Sequence, residues 1–262
     1  MLPAPCFVVS DAHLGAAPAE AERTLLMLLE LAKKEAKSVL INGDLFDFWF
    51  EWRLVMPRTG FRVLAALAGL REAGVELLWV AGNHDCWGGD ILTRDVGLTY
   101  HVGPWRGELA GWQALVEHGD GLREKEDAPY RRLRSVLRHP WAVRSFRWLH
   151  PDLATGWARR TSPTSRNMRP VDGGEGLRKV ALGRLEADPR LELYVFGHTH
   201  STVVGRGAGG RVFANPGAWM DQPSFLRVGP GSVELLQLSG RSIEIRQSLE
   251  RGSIQLRTQP IQ

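Results

Sequence analysis

Residues 38–47, SVLINGDLFD, decide the reading of this chain: an apolar, β-branched run stops at a glycine, and two carboxylates, Asp44 and Asp47, follow at once. The same event occurs four more times. FVVS (7–10) runs into Asp11 and His13, LLWVA (77–81) into Asn83, His84 and Asp85, ALVE (114–117) into His118, and LYVF (193–196) into His198 and His200. Short apolar runs bounded by turn residues are the mark of buried strands. Amphipathic stretches, AERTLLMLLELAKKEAK (21–37) and FRVLAALAGLREAG (61–74), separate the first three runs. That βαβαβ order predicts a parallel sheet covered by helices. From Gly97 onward the helical period gives way to LTYHV, GELAG and QALVE, which predict antiparallel members and a second sheet.

In open α/β sheets, ligands sit beyond the carboxyl ends of the strands, so five such loops are expected to converge on one crevice. The side chains they carry are imidazoles, carboxylates and one amide, without sulfur. That donor set suits a pair of divalent ions such as Mn, Fe, Zn or Co. A carboxylate shared by two ions about 3.5–4 Å apart would let them activate water and clamp a phosphoryl oxygen. The expected reaction is hydrolysis at phosphorus by in-line attack, with no covalent enzyme intermediate. The class-level alternative is a metal-free scaffold that keeps the fold for protein binding; the complete ligand set argues for the enzyme.

The blocks DxH, GDLFD, GNHD, His118 and GHTH, spread over residues 11–200, resemble those of the calcineurin-like metallophosphoesterases. The resemblance implies an α/β fold, a four-layer α/β/β/α sandwich of two mixed sheets with a helical insertion. It also implies that Asp11, His13, Asp44 and His200 hold one ion, and that Asp44, Asn83, His118 and His198 hold the other. Mn is the expected metal, with Fe or Zn as alternatives. Asp47 and Asp85 are read as orienting partners of the ligands or as helix caps. His84 is read as the catalytic residue at the phosphate or leaving group.

Within the superfamily the chain is most similar to the UDP-2,3-diacylglucosamine pyrophosphohydrolases of lipid A synthesis. The aromatic GDLFDFWFEW block, the HGD motif followed by a charged loop and a Tyr-containing helix with HPW, and the position of the helical insertion carry that likeness. One position departs: that family has arginine where this chain has His84. The implied substrate is a UDP-linked acylated glucosamine, cleaved to UMP and the acylated sugar 1-phosphate. Another phosphodiester, nucleotide-sugar or lipid-linked pyrophosphate is the alternative.

The chain is expected to divide into a first core part (1–122), a helical cap (123–180) and a second core part (181–262). Of the 262 residues, 33 are Lys or Arg and 29 are Asp or Glu, a net +4 that does not describe a nucleic-acid coat. The charge is local: residues 121–180 hold fourteen Lys or Arg against six Asp or Glu. Trp141, Trp148 and Trp157 lie among these arginines, the pattern of a basic amphipathic surface that meets anionic lipid. A cap core built on the tryptophans is the plainer alternative, and single-stranded nucleic acid is disfavoured. Arg166 and Asn167, in the turn-rich stretch TSPTSRNMRPVDGGEG, are candidate substrate phosphate contacts. Two cysteines cannot build a disulfide framework or a thiolate zinc site. No secretory leader or membrane-spanning run is read, so the chain is expected to be cytoplasmic or peripheral on the inner face of the cell membrane. The residues from about Arg257 read as a loose tail.

Overall fold

The computed structural model describes residues 1–166, 172–240 and 242–252, with backbone alone for Arg159 and residues 161–166. Strand β1 (Cys6–Val9) leads into helix α1 (Ala19–Glu35), then β2 (Ser38–Asn42), α2 (Phe61–Glu72) and β3 (Glu76–Val80). Three short strands follow, β4 (Thr99–His101), β5 (Trp105–Leu109) and β6 (Trp112–Val116). The helices α3 (Ala128–Leu137), α4 (Pro140–Phe146), α5 (Pro151–Arg166) and α6 (Glu175–Ala187) come next. The chain closes with β7 (Leu193–Val195), β8 (Val203–Arg206), β9 (Val212–Asn215), β10 (Ser224–Val228), β11 (Ser232–Ser239) and β12 (Ser242–Glu250).

Among the described residues these strands form two mixed sheets, ordered β12-β11-β10-β1-β2-β3-β4 and β5-β6-β7-β9-β8. β1 to β4 run parallel, as do β6, β7 and β9, while β10 to β12, β5 and β8 join antiparallel. The alternation of side chains along a strand sorts the core into layers. Cys6 and Val8 face Val116, Leu193 and Val195 between the sheets. Phe7 and Val9 face the other way, with Ile41 and Trp79, onto Leu25, Leu28 and Leu29 of α1 and Leu64 and Leu67 of α2. Behind the second sheet, Leu115, Tyr194 and Phe213 pack on Leu177, Ala181 and Leu185 of α6. Helix, sheet, sheet and helix make the expected four layers.

α1 forms where its sequence places leucines at 25, 28 and 29 and alanines at 21 and 32, one buried stripe at helical spacing. Glu20 and Glu22 in its first turn and Lys33 and Lys34 in its last match the sign of the helix dipole. The insertion breaks into separate helices because Pro140 and Pro151 can begin a helix but not continue one from the preceding turn. α5 continues to Arg166, through residues expected to turn from Thr161; proline's fixed φ is itself helical, and Pro163 costs a hydrogen bond rather than the helix. α6 runs through position 180 and packs on the second sheet, and we propose that the cap proper is α3 to α5. The tail expected from Arg257 lies outside the described residues.

This division gives a stability test. Leu185→Ala, which empties a site of 0% exposure under the sheet, is expected to cost roughly 2–5 kcal/mol in urea unfolding. Leu153→Ala in the cap, where the side chain is 73% exposed, is expected to change stability by less than about 0.5 kcal/mol.

Candidate metal centre

The five motif loops leave the carboxyl ends of β1, β2, β3, β6 and β7, three from one sheet and two from the other, and they meet at one end of the sandwich. Three overlapping clusters result: Asp11 with His13 and His200, His13 with Asp44 and His84, and Asp44 with His118 and His198. Within each, the donor atoms lie within 4.8 Å of one another. His13 Nε2 is 3.8 Å from Asp44 Oδ2 and 3.9 Å from Asp11 Oδ1, and His200 Nε2 is 3.8 Å from Asp11 Oδ1. His118 Nε2 stands 3.2 Å from Asp44 Oδ2.

The loops are bent sharply to aim these groups inward. Asp11, His13, Asp44, His198 and His200 all have positive φ, between 42° and 66°, and the one other described non-glycine residue with positive φ is Ala110. Side chains normally avoid that region, so its concentration here is strain held at the site. Two glycines make the room. Gly43, itself at φ 78°, would place a Cβ 2.3 Å from His118 Nδ1, and a Cβ on Gly82 would sit 2.1 Å from Asp44 Oδ1.

Hydrogen bonds fix which atoms remain for a ligand. Asp11 Oδ2 accepts from the Ser10 hydroxyl and, at 3.0 Å, from the His198 amide, which leaves Oδ1 bare. Asp44 Oδ1 accepts the His84 amide at 2.9 Å, which leaves Oδ2 toward the imidazoles. His118 Nδ1 donates to the Asn42 carbonyl at 2.8 Å, and His84 Nδ1 to the Asp47 carbonyl at 2.7 Å. A carbonyl can only accept, so both rings carry the Nδ1 proton and present Nε2. His200 Nδ1 pairs with Asp221 at 3.0 Å. Asp85 holds backbone rather than an imidazole: it accepts the amides of Leu45 and Gly82, both at 2.8 Å, and so ties the Asp44 loop to the Asn83 loop.

The charges are what a cation would satisfy. Burial alone would raise the Asp44 carboxyl, but the imidazoles of His118, His84 and His13 outweigh it and hold it well below the usual range. Burial disfavours a proton on His118, yet Asp44 and Asp11 hold its pKa well above the ordinary value. Burial pushes His13 down to about 4, so its lone pair is free near neutral pH. Asp85 is raised to about 7 by burial and by the neighbouring Asp44 charge. Among the described residues, seven buried side-chain polar atoms lack a hydrogen-bond partner, and four of them belong here: Asp11 Oδ1, His13 Nδ1, Asn83 Oδ1 and His118 Nε2. Buried polar atoms are normally paired, so bare oxygen and nitrogen atoms gathered in one cavity fit divalent ions.

Cys86, beside the GNHD block, is a half-buried free thiol that burial pushes up to about 12. The reading of single motifs missed Asp120 and Asp221. Asp120 stands in the HGD block two residues after His118, whereas Asp221 lies 21 residues from the imidazole it orients. Arg166 ends α5 with its side chain outside the description, and Asn167 lies outside the described residues.

This fold and centre define a metal-dependent phosphoesterase, and the calcineurin-like phosphoesterase family profile matches residues 4–202. The chain belongs to that family. It is 34% identical over 222 residues to the UDP-2,3-diacylglucosamine hydrolase of Porphyromonas gingivalis, covering 75% of this chain and 83% of that protein. The enzyme of that name from Salmonella typhi is 27% identical over 235 residues, covering 87% and 96%. Of solved structures, Vps29 of Chaetomium thermophilum shares the fold with a TM-score of 0.50 at 14% identity, covering 94% of this chain and 98% of its own.

Gly82→Ala tests the packing of the centre. The added methyl collides with the Asp44 carboxylate, so Mn²⁺ affinity measured by calorimetry is expected to fall roughly 10-fold or more while the circular dichroism spectrum stays folded. Unchanged affinity would show that Asp44 has room to move.

Proposed function

We propose that the chain hydrolyses the pyrophosphate of a UDP-linked, acylated glucosamine, releasing UMP and the acylated sugar 1-phosphate. The observation that carries this reading is an apolar cavity of about 340 Å³ lined on one side by two of the loops that build the centre and on the other by the cap. Phe48 and Phe50 follow Asp47, Trp87 follows His84, and the cap closes the space with Val143, Phe146 and Trp157. Phosphate chemistry at one end and an aromatic, apolar chamber beside it suit a substrate that is both phosphorylated and acylated. The names of the relatives point the same way.

We assign Asp11, His13, Asp44 and His200 to one divalent ion and Asp44, Asn83, His118 and His198 to the other, with Mn as the metal and Fe or Zn as alternatives. When bound, the ions supply Lewis acidity for the phosphoryl oxygens and lower the pKa of the attacking water. Asp44 Oδ2 faces both groups of imidazoles, and its place in two of the three clusters supports its role as the shared ligand. The leaving sugar 1-phosphate is already a stable anion and needs no proton at neutral pH. His84 therefore acts through Nε2 on the charge of the phosphoryl group, with its ring held by the Asp47 carbonyl and Asp47 Oδ1 4.0 Å away. Arg166 and Asn167 are proposed as phosphate contacts on sequence pattern alone.

The cap surface supports contact with an anionic membrane. Trp141, Trp148 and Leu153 are 71–86% exposed rather than packed in a cap core, with Arg132, Arg144, Arg147 and Arg160 exposed among them. Apolar rings set in a basic surface suit the headgroup region. Among the described residues no helix is long and apolar enough to cross a membrane. We place the protein in the cytoplasm, peripheral on the inner face of the cell membrane.

Asp44→Ala is expected to abolish turnover and metal uptake at both positions. His84→Ala is expected to keep its metal and lose roughly 10²-fold or more in kcat. Loss of metal in His84→Ala, read by elemental analysis, would move His84 into the ligand set, since it lies within ligand range of His13 and Asp44. On the wild type, removing the acyl chains from the UDP-sugar should lower kcat/KM by at least about 10-fold, because buried methylenes contribute about 0.8 kcal/mol each. Equal kcat/KM with and without acyl chains would remove the lipid reading.

A further inference from the structure

Two side chains of α3, Tyr130 and Arg134, and that of Arg138 just past its end converge on Asp120. Asp120, buried two residues after His118, accepts from the Tyr130 hydroxyl at 2.8 Å and from Arg138 Nη2 at 3.2 Å. Arg134 Nη1 donates to the Asp120 main-chain carbonyl at 3.0 Å. Arg138 does one thing more: its Nη2 also lies 3.3 Å from the carbonyl of Gly82, the residue before Asn83. A single guanidinium thus touches the loop that presents His118 and the loop that presents Asn83. Those loops leave strands of different sheets, β6 and β3, so no ladder sets their spacing. The Arg138 side chain is 22% exposed, its Nε is buried without a partner, and it is flanked by the Cys86 thiol, which burial keeps neutral. Its positive charge is matched by Asp120 across the gap.

We infer that Arg138 is the positioning residue for one ion of the pair, the one assigned to Asn83, His118 and His198, because it clamps the Asn83 loop to the His118 loop from the cap. This inference rests on the two-ion assignment above. The ion assigned to Asp11, His13 and His200 draws its other ligands from loops that Arg138 does not touch. Arg138 therefore acts on one site and not on the other, which a purely structural side chain would not do. It also makes the seat of the cap and the spacing of two ligand loops a single mechanical unit.

The test is calorimetric titration of the full chain with Mn²⁺ alone, before any substrate is added. Wild type is expected to show two sites. Arg138→Gln should weaken one of them roughly 10- to 100-fold, the magnitude typical for partners that orient ligands, and leave the other unchanged. Arg138→Lys should fall between, since an ammonium keeps the charge but lacks the planar fork that reaches two acceptors. Arg134→Gln, which leaves the Gly82 contact alone, should titrate as wild type. The spin-coupled electron paramagnetic resonance signal of a Mn pair should need more metal to appear in Arg138→Gln, and the melting temperature of each variant verifies folding. If Arg138→Gln does not fold, the Lys variant carries the test through its own unequal loss. Two intact sites, or two sites weakened alike, would overturn the inference. Fewer than two sites in the wild type would instead overturn the two-ion assignment, and this inference with it.

Discussion

The rest of the structure is arranged around a buried carboxylate that cannot stand alone. Asp44 is 1% exposed, and an ionised group removed from water that far is sustained only by opposite charge and directed hydrogen bonds. The histidines around it meet part of that need, and the bare oxygens and nitrogens beside it show that the protein's own groups do not complete it. Two sheets share the work here, β1, β2 and β3 of one bringing three of the loops and β6 and β7 of the other the remaining two. The apolar layer between the sheets holds those loop bases in register, so the hydrophobic packing of Val8, Val116 and Val195 sets the positions of groups that are themselves polar.

Much of this was legible in the sequence because each ligand loop announces itself locally. An apolar run such as SVLIN has to be a strand, and a carboxylate or imidazole just past its end has to lie near the neighbouring strand ends. The spacing of leucines in α1 and α2 showed a sheet covered by helices, and the four-layer order was what the family resemblance implied. What the sequence concealed were pairings between distant segments. Nothing near His200 marks Asp221 as its partner, and nothing near Asp120 marks Arg138, 18 residues onward, as its counter-ion. β8, VVGR, is four residues with a glycine, too short for a period of two to show. Asp85 was read as an orienting partner of the ligands or a helix cap, and nothing in the sequence signalled that it would accept backbone amides of two loops.

The cap adds what the sandwich lacks. Its arginines and tryptophans share a few helical turns, and the fold sends them in different directions. Phe146 and Trp157 turn toward Phe50 and the chamber next to the centre, while Trp148 stands outward in solvent. One short insertion thus presents apolar surface both inward and outward, with the buried contacts of Tyr130, Arg134 and Arg138 on Asp120 fastening it between.

The left-handed backbone at five of the proposed ligands bears on how such a protein can change over generations. At those positions the main chain would relax if the side chain were given up, since glycine accepts positive φ at no cost while an ordinary residue gives up about 1–2 kcal/mol. Relief of that strain would offset part of what losing a ligand costs, but at Asp11 and Asp44 the amides of His198 and His84 would be left buried without an acceptor. The strained backbone and the bonds that hold it are thus two sides of one arrangement, in which the side chains that bend the loops also anchor them.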